Sequence, residues 1–109
     1  MAQTTSRLED IIQRYSRELE RLGIRCQQIL VFGSTAKGTA SEGSDIDLVV
    51  ISPDWAPYNE RERLEMLGIT AARILEPIQA YGMTMEEMAT YPASSFWRSI
   101  LDEATLVVV

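Results

Sequence analysis

Residues 29–51 read ILVFGSTAKGTASEGSDIDLVVI. Two apolar runs bracket a small polar loop. The first, Ile29 to Phe32, is continuously apolar and rich in β-branched residues, as in a strand covered on both faces. It stops at Gly33-Ser34. The second, Asp45 to Ile51, begins with polar and apolar residues in alternation. Alternate side chains of a strand share a face, so Asp45 and Asp47 point one way while Ile46, Leu48 and Val50 enter the opposite side. Two carboxylates at adjacent same-face positions repel unless a cation sits between them. They are either ligands of a metal ion or the solvated edge of a strand, and a strand this apolar argues against two free acids on one face.

Working outward, Ser6-Arg7-Leu8-Glu9 has the form of a capping box. Leu8, Ile11, Ile12, Tyr15, Leu19 and Leu22 follow at helical spacing, and Gly23 is a natural stop. The spacing predicts an amphipathic helix over residues 6–22. After the second strand, Pro53 to Tyr58 read as a loop. Asn59 and Glu62 can cap another helix, with Leu64, Leu67, Ala71, Ile74 and Leu75 on its inner face and Pro77 beyond its end. IQAYGMT, from Ile78, reads as a third strand, SSFWRSILDEA as a short helix and TLVVV as a final strand or edge segment. The order predicts a mixed α/β (α+β) domain, a small β-sheet flanked by helices. With 109 residues and no linker or repeat, residues 1–109 are expected to form one domain.

Composition removes several function classes. The chain has no histidine, which excludes a Ser-His-Asp triad, a Cys-His pair and a His-ligated zinc site. Its formal net charge of −6 argues against non-specific binding to nucleic acid or to an anionic membrane. A single cysteine, Cys26, permits no internal disulfide, and a reducing compartment is the simpler expectation. Nothing at the start resembles a signal peptide and no apolar run approaches the roughly 20 residues of a membrane helix. A cytoplasmic protein is expected.

Hard oxygen ligands and little else favour Mg²⁺ or Mn²⁺ at Asp45 and Asp47, with phosphates and water completing the shell. A tight Gly33-Ser34 turn opening a short helix would offer backbone N–H groups and a hydroxyl to a phosphate; the plain alternative is an ordinary turn and cap. Lys37 lies one helical turn on, within reach of the same phosphate or in solvent. Together these fit phosphoryl or nucleotidyl transfer from a nucleoside triphosphate. A P-loop is excluded: Gly33 and Gly38 have its spacing, but Thr39-Ala40 follow. An EF-hand loop starting at Asp45 is excluded by Val49 and Val50.

Gly33-Ser34, ten residues, then Asp45-Ile46-Asp47 resembles the signature of the DNA polymerase β-like nucleotidyltransferase superfamily, and the chain is similar in length to its minimal, stand-alone members. The resemblance implies the nucleotidyltransferase fold, binding of ATP with Mg²⁺, and transfer of AMP to a hydroxyl. It assigns Gly33 and Ser34 to the phosphate-binding pair, Asp45 and Asp47 to the metal, and Lys37 to a basic position near the phosphates. It also implies a partner of HEPN type, some members acting as antitoxins that adenylylate a partner toxin. In the third strand, where many members carry a carboxylate that helps deprotonate the acceptor, this chain has Gln79, which cannot be a general base. Glu76 has the opposite strand parity and precedes Pro77, so it is a poor substitute.

Two functional readings follow: an active adenylyltransferase, or a family member that has lost turnover and keeps the fold to bind nucleotide or a partner. Either is expected to work bound to another chain, with a homo-oligomer as the alternative to a foreign partner. Cys26 reads as a core residue without chemistry. Phe96 and Trp97 read as packing of the last helix on the sheet. Trp55 reads as a shield over the site, a partner contact or a packed loop, and Glu86 and Glu87 as the start of a short helical turn.

Overall fold

The computed structural model of the chain describes residues 3–33, 45–90 and 95–107. Its elements are α1 (Gln3–Arg21), β1 (Gln28–Phe32), β2 (Ile46–Ile51), a 3₁₀ turn (Pro53–Trp55), α2 (Glu60–Arg73), β3 (Ile78–Met83), α3 (Met85–Thr90), α4 (Phe96–Glu103) and β4 (Thr105–Val107). The four strands form one sheet in the order β3-β2-β1-β4. β1 runs antiparallel to both β2 and β4, and β2 runs parallel to β3. The expected mixed sheet with flanking helices is therefore present.

α1 begins three residues before the expected start. Its stripe faces the sheet: Ile12, Tyr15 and Leu19 are fully buried with Ile29, Val31, Leu48 and Val50. Burial of each such side chain contributes about 1.5–3 kcal/mol. The Tyr15 hydroxyl donates to the Leu67 carbonyl at 2.8 Å, which ties α1 to α2 without leaving a buried hydroxyl unpaired. Gly23, at φ +91°, then turns the chain toward β1.

α2 starts at the expected capping box. The Glu62 amide donates to the Asn59 side chain at 2.8 Å, and the Asn59 amide donates to the Glu62 carboxylate at 2.9 Å. Its inner face matches the expected one at Leu67 and Ala71 and departs from it elsewhere. Leu67, Thr70 and Ala71 are buried, whereas Leu64 and Leu75 are exposed. Thr70 is tolerated inside because its hydroxyl donates to the Met66 carbonyl at 2.8 Å.

The opposite face of the sheet carries Leu30, Val49, Ile51 and Met83, covered by Met88 of α3 and by Trp97 and Leu101 of α4. Trp97 thus packs as expected. Trp55 is a core residue: it is fully buried, its indole N–H donates to the Val50 carbonyl at 3.1 Å, and its ring lies across Gly82 of β3. A Cβ at Gly82 would stand 2.6 Å from the indole Cε2. Gly82→Ala is therefore expected to lower stability by about 1–3 kcal/mol, the usual effect of overpacking a filled core. Chemical denaturation checks this, and an unchanged midpoint would mean that the indole has room to shift.

Candidate nucleotide and metal site

The two aspartates sit where β2 begins. The Ile46 amide donates to the Pro77 carbonyl at 2.8 Å and pins this end of β2 to β3. Asp45 immediately precedes the strand and is exposed, while Asp47 is half-buried within it. Asp47 pairs in register with Phe32 of β1 on one side and with Gln79 of β3 on the other. Directly paired residues share a face of a sheet, so Phe32, Asp47 and Gln79 form one lateral row. The next row on that face is Leu30, Val49 and Tyr81. The aspartate face is thus the one that α4 covers further along.

Gly33 is shaped by Asp47. It closes β1 at φ +71°, in the left-handed region that favours glycine. A Cβ at this position would lie 2.5 Å from Asp47 Oδ2. Backbone and carboxylate therefore approach more closely than any side chain allows. Gly33→Ala is expected to weaken binding of Mg²⁺-ATP by about tenfold, through strain of about 1 kcal/mol and displacement of the carboxylate. Calorimetric titration checks this, and unchanged affinity in a folded variant would mean that the turn is unimportant to the site.

The carboxyl of Asp47 is held above the usual carboxylate range, first by desolvation and then by the neighbouring charge of Asp45. This arrangement favours a cation. Its donors are hard oxygens, which suit Mg²⁺ or Mn²⁺ and not a soft metal. Among the described residues no group of three or more His, Cys, Asp or Glu side chains gathers to hold a metal. The third position of the row is the exposed amide of Gln79. Ser34 and Lys37 lie outside the described residues.

Other carboxylates are engaged elsewhere. Glu76 accepts from Arg14 at 3.0 Å and from Arg7 at 3.5 Å, both on α1, so it does not substitute for the missing acid of β3. Glu87 does more than start a helical turn. It caps α3 reciprocally with Thr84, and it takes both ends of the Arg63 guanidinium, at 2.6 and 3.0 Å. Arg63 pulls Glu87 below the usual carboxylate range. The Cys26 thiol is pushed up to about 11 by burial, which leaves it protonated and unreactive at neutral pH.

Sequence reasoning missed an aromatic cluster on the aspartate face. Phe32, Tyr81 and Trp97 have ring centroids 5.1 to 6.3 Å apart. The parity of Tyr81 with Gln79 was the available signal. A cleft of about 280 Å³ borders this cluster at the sheet edge, lined by Tyr58, Glu60, Leu64, Tyr81 and Trp97 among others. It runs along the C-terminal half of β3 and does not include the aspartates.

The fold and this site can be set beside known proteins. A family model described as a nucleotidyltransferase domain matches residues 12–88. Two proteins of Methanocaldococcus jannaschii, both carrying the provisional name protein adenylyltransferase, are similar in sequence. One is 29% identical over 93 residues, covering 85% of this chain and 58% of the relative. The other is 34% identical over 62 residues, covering 54% of this chain and 71% of the relative. The chain thus spans little more than half the length of the first relative. A crystal structure from Sulfolobus solfataricus, provisionally described as a nucleotidyltransferase, is similar in fold, with a TM-score of 0.66 over 96% of this chain and 83% of that one, at 15% identity. Since the family model spans both strands of the site, the two aspartates and the helix and strand that follow, this chain belongs to the nucleotidyltransferase domain family.

Proposed function

We propose that the chain binds a nucleoside triphosphate, ATP, together with Mg²⁺ or Mn²⁺ and transfers AMP to a hydroxyl of a partner protein. The observation that carries this reading is Asp47 at the start of β2, with the charge of Asp45 near enough to act on it and Gly33 too close to Asp47 Oδ2 for any side chain. Asp45 and Asp47 hold the metal. Gly33, Ser34 and Lys37 take the phosphates. When bound, the divalent ion offsets negative charge on the triphosphate as the α-phosphorus is attacked. The acceptor oxygen forms a bond to that phosphorus, the bond to the β-phosphate oxygen breaks, and pyrophosphate leaves. Gln79 cannot take the acceptor proton, which passes to solvent or to a base on the partner.

The family resemblance supports a partner of HEPN type, this chain serving as the antitoxin that modifies it. The names of the two archaeal relatives support a protein acceptor. A single free cysteine, Cys26, suits a reducing compartment such as the cytoplasm. The second reading, a binding module without turnover, is favoured by one observation, the register of Gln79 with Asp47. Among the described residues no helix is long and apolar enough to cross a membrane.

The test uses ATP labelled at the α-phosphate or at the γ-phosphate, with the purified chain, a HEPN-type partner and Mg²⁺. Label from the α position should enter the partner and label from the γ position should not. Entry of γ label would replace the reading with phosphoryl transfer. Binding of ATP with no transfer to any partner would favour the binding module.

A further inference from the structure

β3 is an edge strand whose outer side is blunted at its two ends, by Pro77 just before it and by Arg63 at Gly82. It ends the sheet order, and no described strand pairs with that side. The Pro77 and Met83 carbonyls accept from Ile46 and Ser52, so the odd-numbered residues turn their backbone toward β2. Ile78, Ala80 and Gly82 turn theirs outward; the Ile78 amide donates to the Glu76 carbonyl at 2.9 Å and the Gly82 carbonyl accepts from Arg63 at 3.2 Å, which leaves the Ile78 carbonyl, both groups of Ala80 and the Gly82 amide for an added strand. Natural edges are commonly blunted with charge or proline; between its blunted ends Ile78–Met83 reads IQAYGM, without a charged residue or proline of its own. Beside this edge lies the cleft of about 280 Å³, with Tyr58, Tyr81 and Trp97 among its walls. Its Arg63 and Glu87 neutralise each other. Glu60 is its acid with no ion-pair partner among the described residues. Tyr81 is one same-face step from Gln79, roughly 6.6 Å along the strand, and Gln79 adjoins Asp47.

We infer that the β3 edge is the docking site of the acceptor protein, which adds an extended, basic segment there as a further strand, with one aromatic side chain in the cleft. This rests on the proposed transfer to a protein hydroxyl. Backbone bonds to the Ile78 carbonyl, to Ala80 and to the Gly82 amide give the segment its direction, and an aromatic side chain lies against Tyr58, Tyr81 and Trp97. A lysine or arginine of the segment meets Glu60. A hydroxyl one same-face step from the aromatic residue then lies beside Gln79, with Asp47 one strand further in. The edge thus serves as a ruler from an anchor to the phosphates.

The probe is the blocked hexapeptide Lys-Thr-Tyr-Thr-Lys-Thr, titrated into the full ¹⁵N-labelled chain. It should shift the amides of Ala80 and Gly82 and the Trp97 indole. Glu60→Lys and Leu64→Lys change exposed positions. Each should weaken the peptide about fivefold or more, as should glutamate in place of its lysines or N-methylation of alternate peptide amides. Binding of the ATP analogue with a methylene α,β bridge, with Mg²⁺, should stay unchanged in both variants. Equal affinity for all three peptides, unaltered peptide affinity in both variants, or no shift at the edge amides would overturn the inference. So would a loss of the ATP analogue matching the loss of peptide, which would make the cleft part of the nucleotide site. A dimer by light scattering that both variants dissociate would give the edge to a second copy and also overturn it. Failure of the proposed reaction reads out separately, as absence of analogue binding at Gly33, Asp45 and Asp47 while peptide binding is retained.

Discussion

Asp47→Asn is expected to abolish AMP transfer while leaving the metal-free fold as stable as the parent's, or more so. The activity loss should reach roughly 10²–10³-fold, the scale of one preorganised electrostatic contact to a transition state. The stability half follows from the sign of the titration. The Asp47 carboxyl is raised above the ordinary carboxylate range by desolvation and by Asp45. A group whose folded pKa is raised contributes stability that is present below its unfolded value and is lost as pH rises through the folded value. At neutral pH, without a cation, the ionised carboxylate is therefore a cost to folding. Asparagine removes that cost together with the ligand. Thermal melts at pH 7 should show a variant midpoint at or above the parent's in chelator. Addition of Mg²⁺ and ATP should raise the parent's midpoint and leave the variant's nearly fixed. A variant that melts well below the parent in chelator, or that keeps its activity, would contradict this account.

The same pair of residues shows what was legible in the sequence. Strand parity sets the face of Asp47, because it depends only on the two-residue period of the backbone, whereas Asp45 lies just before the strand, where that period does not reach. The cap of α2 was equally local, since Asn59 and Glu62 satisfy each other within one turn. The register that sets Gln79 beside Asp47 came from the family resemblance, because pairing of parallel strands across a helix leaves no local mark. Trp55 was not legible. It lies in a Pro-flanked polar stretch, and only its long-range contact with Gly82 and its bond to Val50 make it core. The inner face of α2 was legible at Leu67 and Ala71 and not at Leu64, Thr70 and Leu75, for a related reason. Apolar residues were counted inward, yet Leu75 lies outside at φ +57° and Thr70 inside with a local hydroxyl bond. The Thr84–Glu87 box heading α3 was present in the sequence, but Glu87 also needed Arg63 from α2 to show its role.

Gln79→Glu should separate an active enzyme from a retired one. Its register with Asp47 puts the new carboxylate in the row of Phe32 and Asp47, beside the position where an acceptor hydroxyl would meet the α-phosphate. Gln79 is exposed, so the change neither fills a cavity nor buries a charge. In an active transferase the new group takes the acceptor's proton or adds a ligand for a second ion. Well-placed general bases are worth roughly 10²–10⁴-fold. A gain of about tenfold is expected here, because Glu at this position lacks neighbours that tune it and adds a third negative charge to the metal-free site. That charge carries its own signature. It should push the Asp47 carboxyl further up, lower the melting midpoint in chelator at neutral pH, and steepen the recovery of stability with Mg²⁺. In a retired enzyme those thermal effects persist while transfer stays absent. The assay follows α-labelled ATP into the partner, with parent and variant compared across Mg²⁺ and Mn²⁺ concentrations. A parent that transfers AMP rapidly and loses that activity on Gln79→Glu would show that the base lies elsewhere and that the amide itself is required, for instance to orient the acceptor through its N–H₂ group.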